Sequence, residues 1–191
     1  MSRSLENILR KNLVKGRVSK GNKKLDNIIV FLFILGIALL TCEVYIYRKT
    51  LIELKIPLMI WLTPGIVLTP IFYNKLNDID GMKAHWSLHY ILHSCMTGAF
   101  VLFSFMAVNY FFADNEVVSK KFKVQETGSL AGGKRSRNKR SPYVVINYEG
   151  MEKQLVFSNS QMDKVMNSKW AVLKVRKGRL GFDVLENYTV K

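Results

Sequence analysis

Residues Ile56–Tyr73 read IPLMIWLTPGIVLTPIFY. The stretch is uncharged and carries Pro57, Pro64 and Pro70, with Gly65 beside Pro64. If it crosses a membrane, everything downstream changes side, so its reading decides the fold. Pro57 can open a helix, because a first-turn N–H has no helical partner to lose. Pro64 removes an interior hydrogen bond and is expected to kink the helix. The stretch reads as a Pro-kinked transmembrane helix, and a re-entrant loop is the competing reading.

Two further apolar blocks flank it. Asn27–Tyr47 reads NIIVFLFILGIALLTCEVYIY and has no charge before Glu43. At ~1.5 Å per residue it covers the ~30 Å of a bilayer's hydrocarbon. Tyr45 and Tyr47 stand where an interfacial aromatic belt would lie. Ser87–Ala113 is the third block, and its most apolar part begins near Ser94. The predicted spans are 27–47, 56–73 and 87–112.

Charge sets the expected orientation. The chain has 191 residues and a net charge of +15, yet its mean hydropathy is +0.07. Such a pairing requires segregation of apolar blocks from Lys and Arg. Arg3, Arg10, Lys11, Lys15, Arg17, Lys20, Lys23 and Lys24 precede the first span, and Lys75 and Lys83 lie between the second and third. Only Arg48, Lys49 and Lys55 lie between the first and second. The excess of positive charge is expected inside. That places the N-terminus in the cytoplasm of a bacterial inner-membrane protein and the C-terminal domain in the periplasm. Met1–Lys24 does not have the form of a cleavable signal, since its basic region is too long and no small-residue cleavage site follows. Leu5, Ile8, Leu9 and Leu13 share one helical face among basic residues, which suits a helix lying on anionic lipid. A basic tail that only sets topology is the alternative.

From Asp114 the apolar period becomes two. Val117–Glu126 is a predicted strand and Gly128–Ser141 a loop. YVVINYEGMEKQLVFS (Tyr143–Ser158) reads as a hairpin turning at Glu149-Gly150. Ser160–Asn167 is a short helix with Ser158 or Asn159 as its cap. Ala171–Lys177 and Leu180–Val190 form a second strand pair across Gly178. Leu173, Val175, Phe182 and Val184 are expected in the core. The predicted organisation is a basic tail (1–26), a membrane module of three helices (27–113) and a small α+β, mostly antiparallel-sheet domain (114–191).

Chemistry-bearing signals are sparse. All three histidines fall in AHWSLHYILHSC (Ala84–Cys95), at His85, His89 and His93. That i, i+4, i+8 spacing stacks side chains on one helical face. Neighbouring histidines can share a metal ion, but His85 and His93 would stand ~12 Å apart along the axis. The candidate metal set is therefore His85 and His89 with Asp78 and Asp80, and a metal ion is the one cofactor considered. A haem would need a second axial ligand from elsewhere. The competing reading is structural, with the rings hydrogen-bonding neighbouring helices.

Lys134, Arg135, Arg137, Lys139 and Arg140 form a basic run suited to an anionic partner. No aromatic is interleaved for base stacking, which disfavours nucleic acid. Glu43 is either interfacial or paired, with Arg48 or with another helix. Cys42 and Cys95 lie within separate apolar blocks and suggest neither a disulfide framework nor a zinc site. No phosphate-binding glycine loop, HExxH, CxxC or nucleophile motif is present. The expected function is a non-enzymatic integral membrane protein that displays a basic sheet domain to a protein or envelope partner. Its role would be that of an accessory subunit or an immunity-type protein, with membrane lipids and a protein partner or second copy as contacts. No small-molecule substrate is inferred. The alternatives are a metal sensor or transport subunit built on the His/Asp set, and an oligomeric pore component.

Overall fold

The computed structural model describes residues 23–77, 84–131 and 140–191. The tail helix, Asp78, Asp80, Lys134, Arg135, Arg137 and Lys139 lie outside the described residues. Three helices come first: α1 (Lys23–Lys49), α2 (Lys55–Asn77) and α3 (Trp86–Phe111). Each is long and apolar enough to cross a membrane. A curled antiparallel sheet of five strands follows: β1 (Val117–Leu130), β2 (Ser141–Tyr148), β3 (Met151–Val156), β4 (Trp170–Arg176) and β5 (Val184–Val190). A short helix α4 (Met162–Met166) joins β3 to β4. The strand order is β3-β2-β1-β4-β5.

The described residues divide into two compact units. The first holds α1 through Leu40 together with Leu58–Leu102; the second holds Thr41–Pro57 together with Phe103–Lys191.

In the first unit, helix α2 runs unbroken through Pro64 and Pro70. Thr63 Oγ1 donates to the Met59 carbonyl at 2.6 Å, one turn back. Helix α3 contains a π-turn at Ser94–Gly98. Such a turn opens the helical ladder by one residue. The Ser94 carbonyl accepts the N–H of Ala99 and also Trp61 Nε1 at 3.0 Å. Small residues allow the helices to touch by their backbones. A Cβ at Gly36 would overlap the Cys95 carbonyl oxygen, and one at Gly98 would overlap the Trp61 carbonyl oxygen.

In the second unit, β1 belongs to both halves of the sheet. Its residues Val117–Lys123 pair with β4, and Val124–Leu130 pair with β2. The register shifts between Val124 and Glu126, so a bulge bends the strand where it changes partner. Tyr188 on β5 closes the curl: its hydroxyl donates to the Val156 carbonyl on β3 at 2.6 Å, and its ring meets Phe157 edge-on. Alternation places Val144, Ile146, Tyr148, Leu155, Leu173, Val175 and Val190 inside, with Val165 of α4. The predicted hairpin turns at Glu149-Gly150, both with positive φ. Leu51, from the α1–α2 loop, belongs to the same core.

Two predicted strand boundaries differ by four residues each. Strand β1 continues through Gly128 to Leu130, because Thr127–Leu130 pair with Ser141–Val144 and the Tyr143 side chain occupies the space a side chain at 128 would need. Strand β5 begins at Val184 rather than Leu180, because Asn109 at the end of α3 holds the preceding loop. Asn109 Oδ1 accepts the Leu180 N–H at 3.0 Å, and Nδ2 donates to the Phe182 carbonyl at 2.9 Å. Phe182 accordingly leaves the core line and packs on Phe105.

Candidate functional site

The three histidines have three different surroundings. Helix α3 begins after His85, which is its exposed N-cap: Nδ1 accepts from the Ser87 N–H and bonds Ser87 Oγ at 2.9 Å. His89 is buried, with Nε2 bonded to Asn77 Oδ1 at 3.1 Å and Tyr73 against its ring. His93 packs on Phe72, and its buried Nε2 has no hydrogen-bond partner among the described residues. Among the described residues no group of three or more His, Cys, Asp or Glu converges.

Thr69 Oγ1 and Ser94 Oγ are likewise buried without partners, on the faces of α2 and α3 that meet near Gly65. The α2–α3 seam is thus a ladder of polar groups, Asn77 with His89, then His93, Thr69 and Ser94. Of these, the Asn77–His89 bond ties α2 to α3, and the other three groups have no hydrogen-bond partner among the described residues.

Glu43 is buried within α1 and bonds neither Arg48 nor any other described residue. Of the basic run, Arg140 alone is described, and it is exposed.

The sheet unit carries two polar features that sequence spacing alone does not reveal. The first joins β1, the β2–β3 turn and the loop before β5. Lys120 Nζ donates to Tyr148 Oη at 2.8 Å, to Asp183 Oδ2 at 2.7 Å and to Glu149 Oε1 at 3.2 Å. Tyr148 Oη also donates to Asp183 Oδ2. The Asp183 carboxylate and the Tyr148 hydroxyl hold the Lys120 ammonium above its usual pKa. Burial, then the bond to Asp183, pushes the Tyr148 phenol up to about 12. Asp183 is also an anchor, since its carbonyl accepts the Leu51 N–H at 2.8 Å and Thr50 bridges to Val184 beside it. Lys153 Nζ donates to the Thr50 carbonyl at 3.3 Å and lies over the Tyr47 ring. Burial lowers its pKa.

The second feature is the outer face of β1 and β4. Pairing puts Ser119 opposite Lys174, Lys121 opposite Val172, and Lys123 opposite Trp170. Lys121, Lys123 and Lys174 are exposed, and Phe122 and Val124 point to the core between them. Lys121 Nζ stands 4.3 Å from the centroid of the Trp170 ring, which is 40% exposed. None of the three lysines makes an ion pair with a described residue. Arg176, at the end of the same face, is taken by Glu186 at 2.6 Å.

Comparison of the chain with protein-family models, with curated proteins and with solved structures finds no match in any of the three. The functional reading therefore rests on the residues and their geometry.

Proposed function

We propose that the chain is a non-enzymatic, membrane-anchored protein that displays its sheet unit for interaction with another macromolecule. Three apolar helices support insertion. The observation that carries the reading is the origin of the sheet unit's supports. Thr50 and Leu51 from the α1–α2 loop and Asn109 from the end of α3 are all built into it. In a chain that crosses the membrane three times, the α1–α2 loop and the end of α3 emerge on the same side, and the sheet unit built on them is on that side too. The unbroken α2, ~34 Å long at ~1.5 Å per residue, supports a full crossing over a re-entrant loop. With the basic tail inside, the sheet unit faces the periplasm of a bacterial inner membrane.

Topology reporters fused separately at residue 1 and residue 191 test this. Opposite sides are expected, with residue 191 outside. Both ends on the same side, or residue 191 in the cytoplasm, would overturn it.

A further inference from the structure

The outer face of the sheet has a composition that its fold does not require. A solvated strand face ordinarily mixes charges of both signs. Here the outward positions Ser119, Lys121 and Lys123 on β1, Trp170, Val172, Lys174 and Arg176 on β4, and Glu186, Asn187 and Thr189 on β5 include four cations and one acid, and that acid is taken by Arg176, which leaves the three lysines without an ion pair to a described residue. Neighbours along a strand face lie ~6.6 Å apart, and diagonal neighbours on paired strands ~7–8 Å apart. The lysines therefore form one patch, with Trp170 at its edge.

From Lys174 the patch extends away from the anchor, to Lys123 and Trp170. Arg176 and Val184 mark the strand ends beside Thr50, whereas Lys123, Trp170 and Val190 are at the opposite ends. About six residues at ~3.3 Å each separate the two ends. We propose that this face docks an acidic polypeptide segment of a partner protein. The proposal rests on the display reading above and names the surface it uses.

The side-chain types favour carboxylates over nucleic acid. The free cations are all lysines, compact point charges that pair with a carboxylate from many directions. Arginine, whose planar fork suits phosphate, is represented on this face by Arg176, which is already engaged by Glu186. A face for single-stranded nucleic acid uses open aromatic platforms. Trp170 is the one exposed aromatic here, and Lys121 covers one side of its ring. That cation–π contact fixes the ammonium over the face instead of leaving it to sample solvent.

The test uses full-length protein in detergent, with a labelled polyglutamate peptide and a single-stranded oligonucleotide as probes. Polyglutamate is expected to bind in a salt-sensitive manner. Binding should weaken about tenfold in Lys121→Gln/Lys123→Gln/Lys174→Gln, the scale of three exposed ion pairs. A variant with the same charge change in the tail, Lys15→Gln/Arg17→Gln/Lys20→Gln, should weaken it less than about threefold. Acetylation footprinting of the unmodified sequence should show the three sheet lysines protected by polyglutamate. Equal losses in the two variants, no protection, or tighter binding of the oligonucleotide through the same lysines would each overturn the proposal. Because the assay is indifferent to sidedness, a cytoplasmic residue 191 would sink the display reading and leave this result standing.

Discussion

Replacing Asn109 by leucine keeps a branched side chain of similar shape and removes both bonds to the loop before β5. The Leu180 N–H and the Phe182 carbonyl lose their partner. Both bonds are only partly buried, and a lost hydrogen bond of this kind costs about 0.5–1.5 kcal/mol, so Asn109→Leu is expected to destabilise the sheet unit by about 1–3 kcal/mol. Gly178 belongs to the same joint, since a Cβ there would overlap the Phe182 carbonyl and press on Asn109. Thermal denaturation of the variant in detergent checks the loss; an unchanged midpoint would show that the joint carries no stability. Tyr148 gives a second prediction with a definite sign. Its phenol ionises near 10 when unfolded and is held to about 12 when folded. The stability this contributes is intact below pH ~10 and is lost as pH rises to about 12. Lys120 shifts in the same sense, while the lowered Lys153 acts in the opposite one. Tyr148→Phe should therefore flatten the fall in stability between pH ~10 and about 12. The slope of stability against pH is the readout, because the variant's baseline also changes.

The β2–β3 hairpin shows which elements sequence can specify. Its alternating apolar residues and Glu149-Gly150 turn are local signals, and strand and turn appear where they point. Glu149 nevertheless sits at φ 52, a left-handed conformation that costs a non-glycine residue about 1–2 kcal/mol. Its pairing with Lys120 is exposed at Glu149 and contributes no more than about 1 kcal/mol. Asn147 Oδ1 already braces the turn through the Gly150 N–H at 2.7 Å. The conformational term should win, so Glu149→Asn is expected to stabilise the sheet unit by a few tenths to about 1 kcal/mol. A lower melting temperature would show that the ion pair outweighs the strain. The start of β5 and the end of β1 were not legible in the same way. Each is set by a residue distant in sequence, Asn109 in one case and Tyr143 in the other. The histidines repeat the lesson: their spacing suggested one shared helical face, but a helix start at Trp86 and a tertiary bond to Asn77 give each ring its own environment. The outer lysine face was hidden for another reason, because it needs the β1–β4 register, and no spacing within either strand contains it.

At the scale of the whole chain, apolar blocks and segregated charge made three candidate spans and a terminal sheet legible. What they concealed is that the sheet unit is assembled from non-contiguous sequence. Leu51 is buried in its core, and Thr50 and Leu51 are tied to Val184 and Asp183 through the backbone. A fragment beginning at Asp114 would lack these residues and Asn109. Burying one leucine is worth about 2–3 kcal/mol, and the loop bonds of Asn109 add a similar amount. A domain of this size has roughly 5 kcal/mol or somewhat more in total. The missing supports are therefore comparable with everything that holds the sheet folded. The fragment 114–191 is expected to be largely unfolded or aggregated, with no dispersed methyl signals in its NMR spectrum. Linking residues 46–56 to its N-terminus through a flexible glycine-serine segment should restore part of the cooperative unfolding transition. If 114–191 alone unfolds cooperatively at the temperature of the full-length protein, the loop is a passenger. If the linked form gains stability over the fragment, the α1–α2 loop is part of the sheet's own fold.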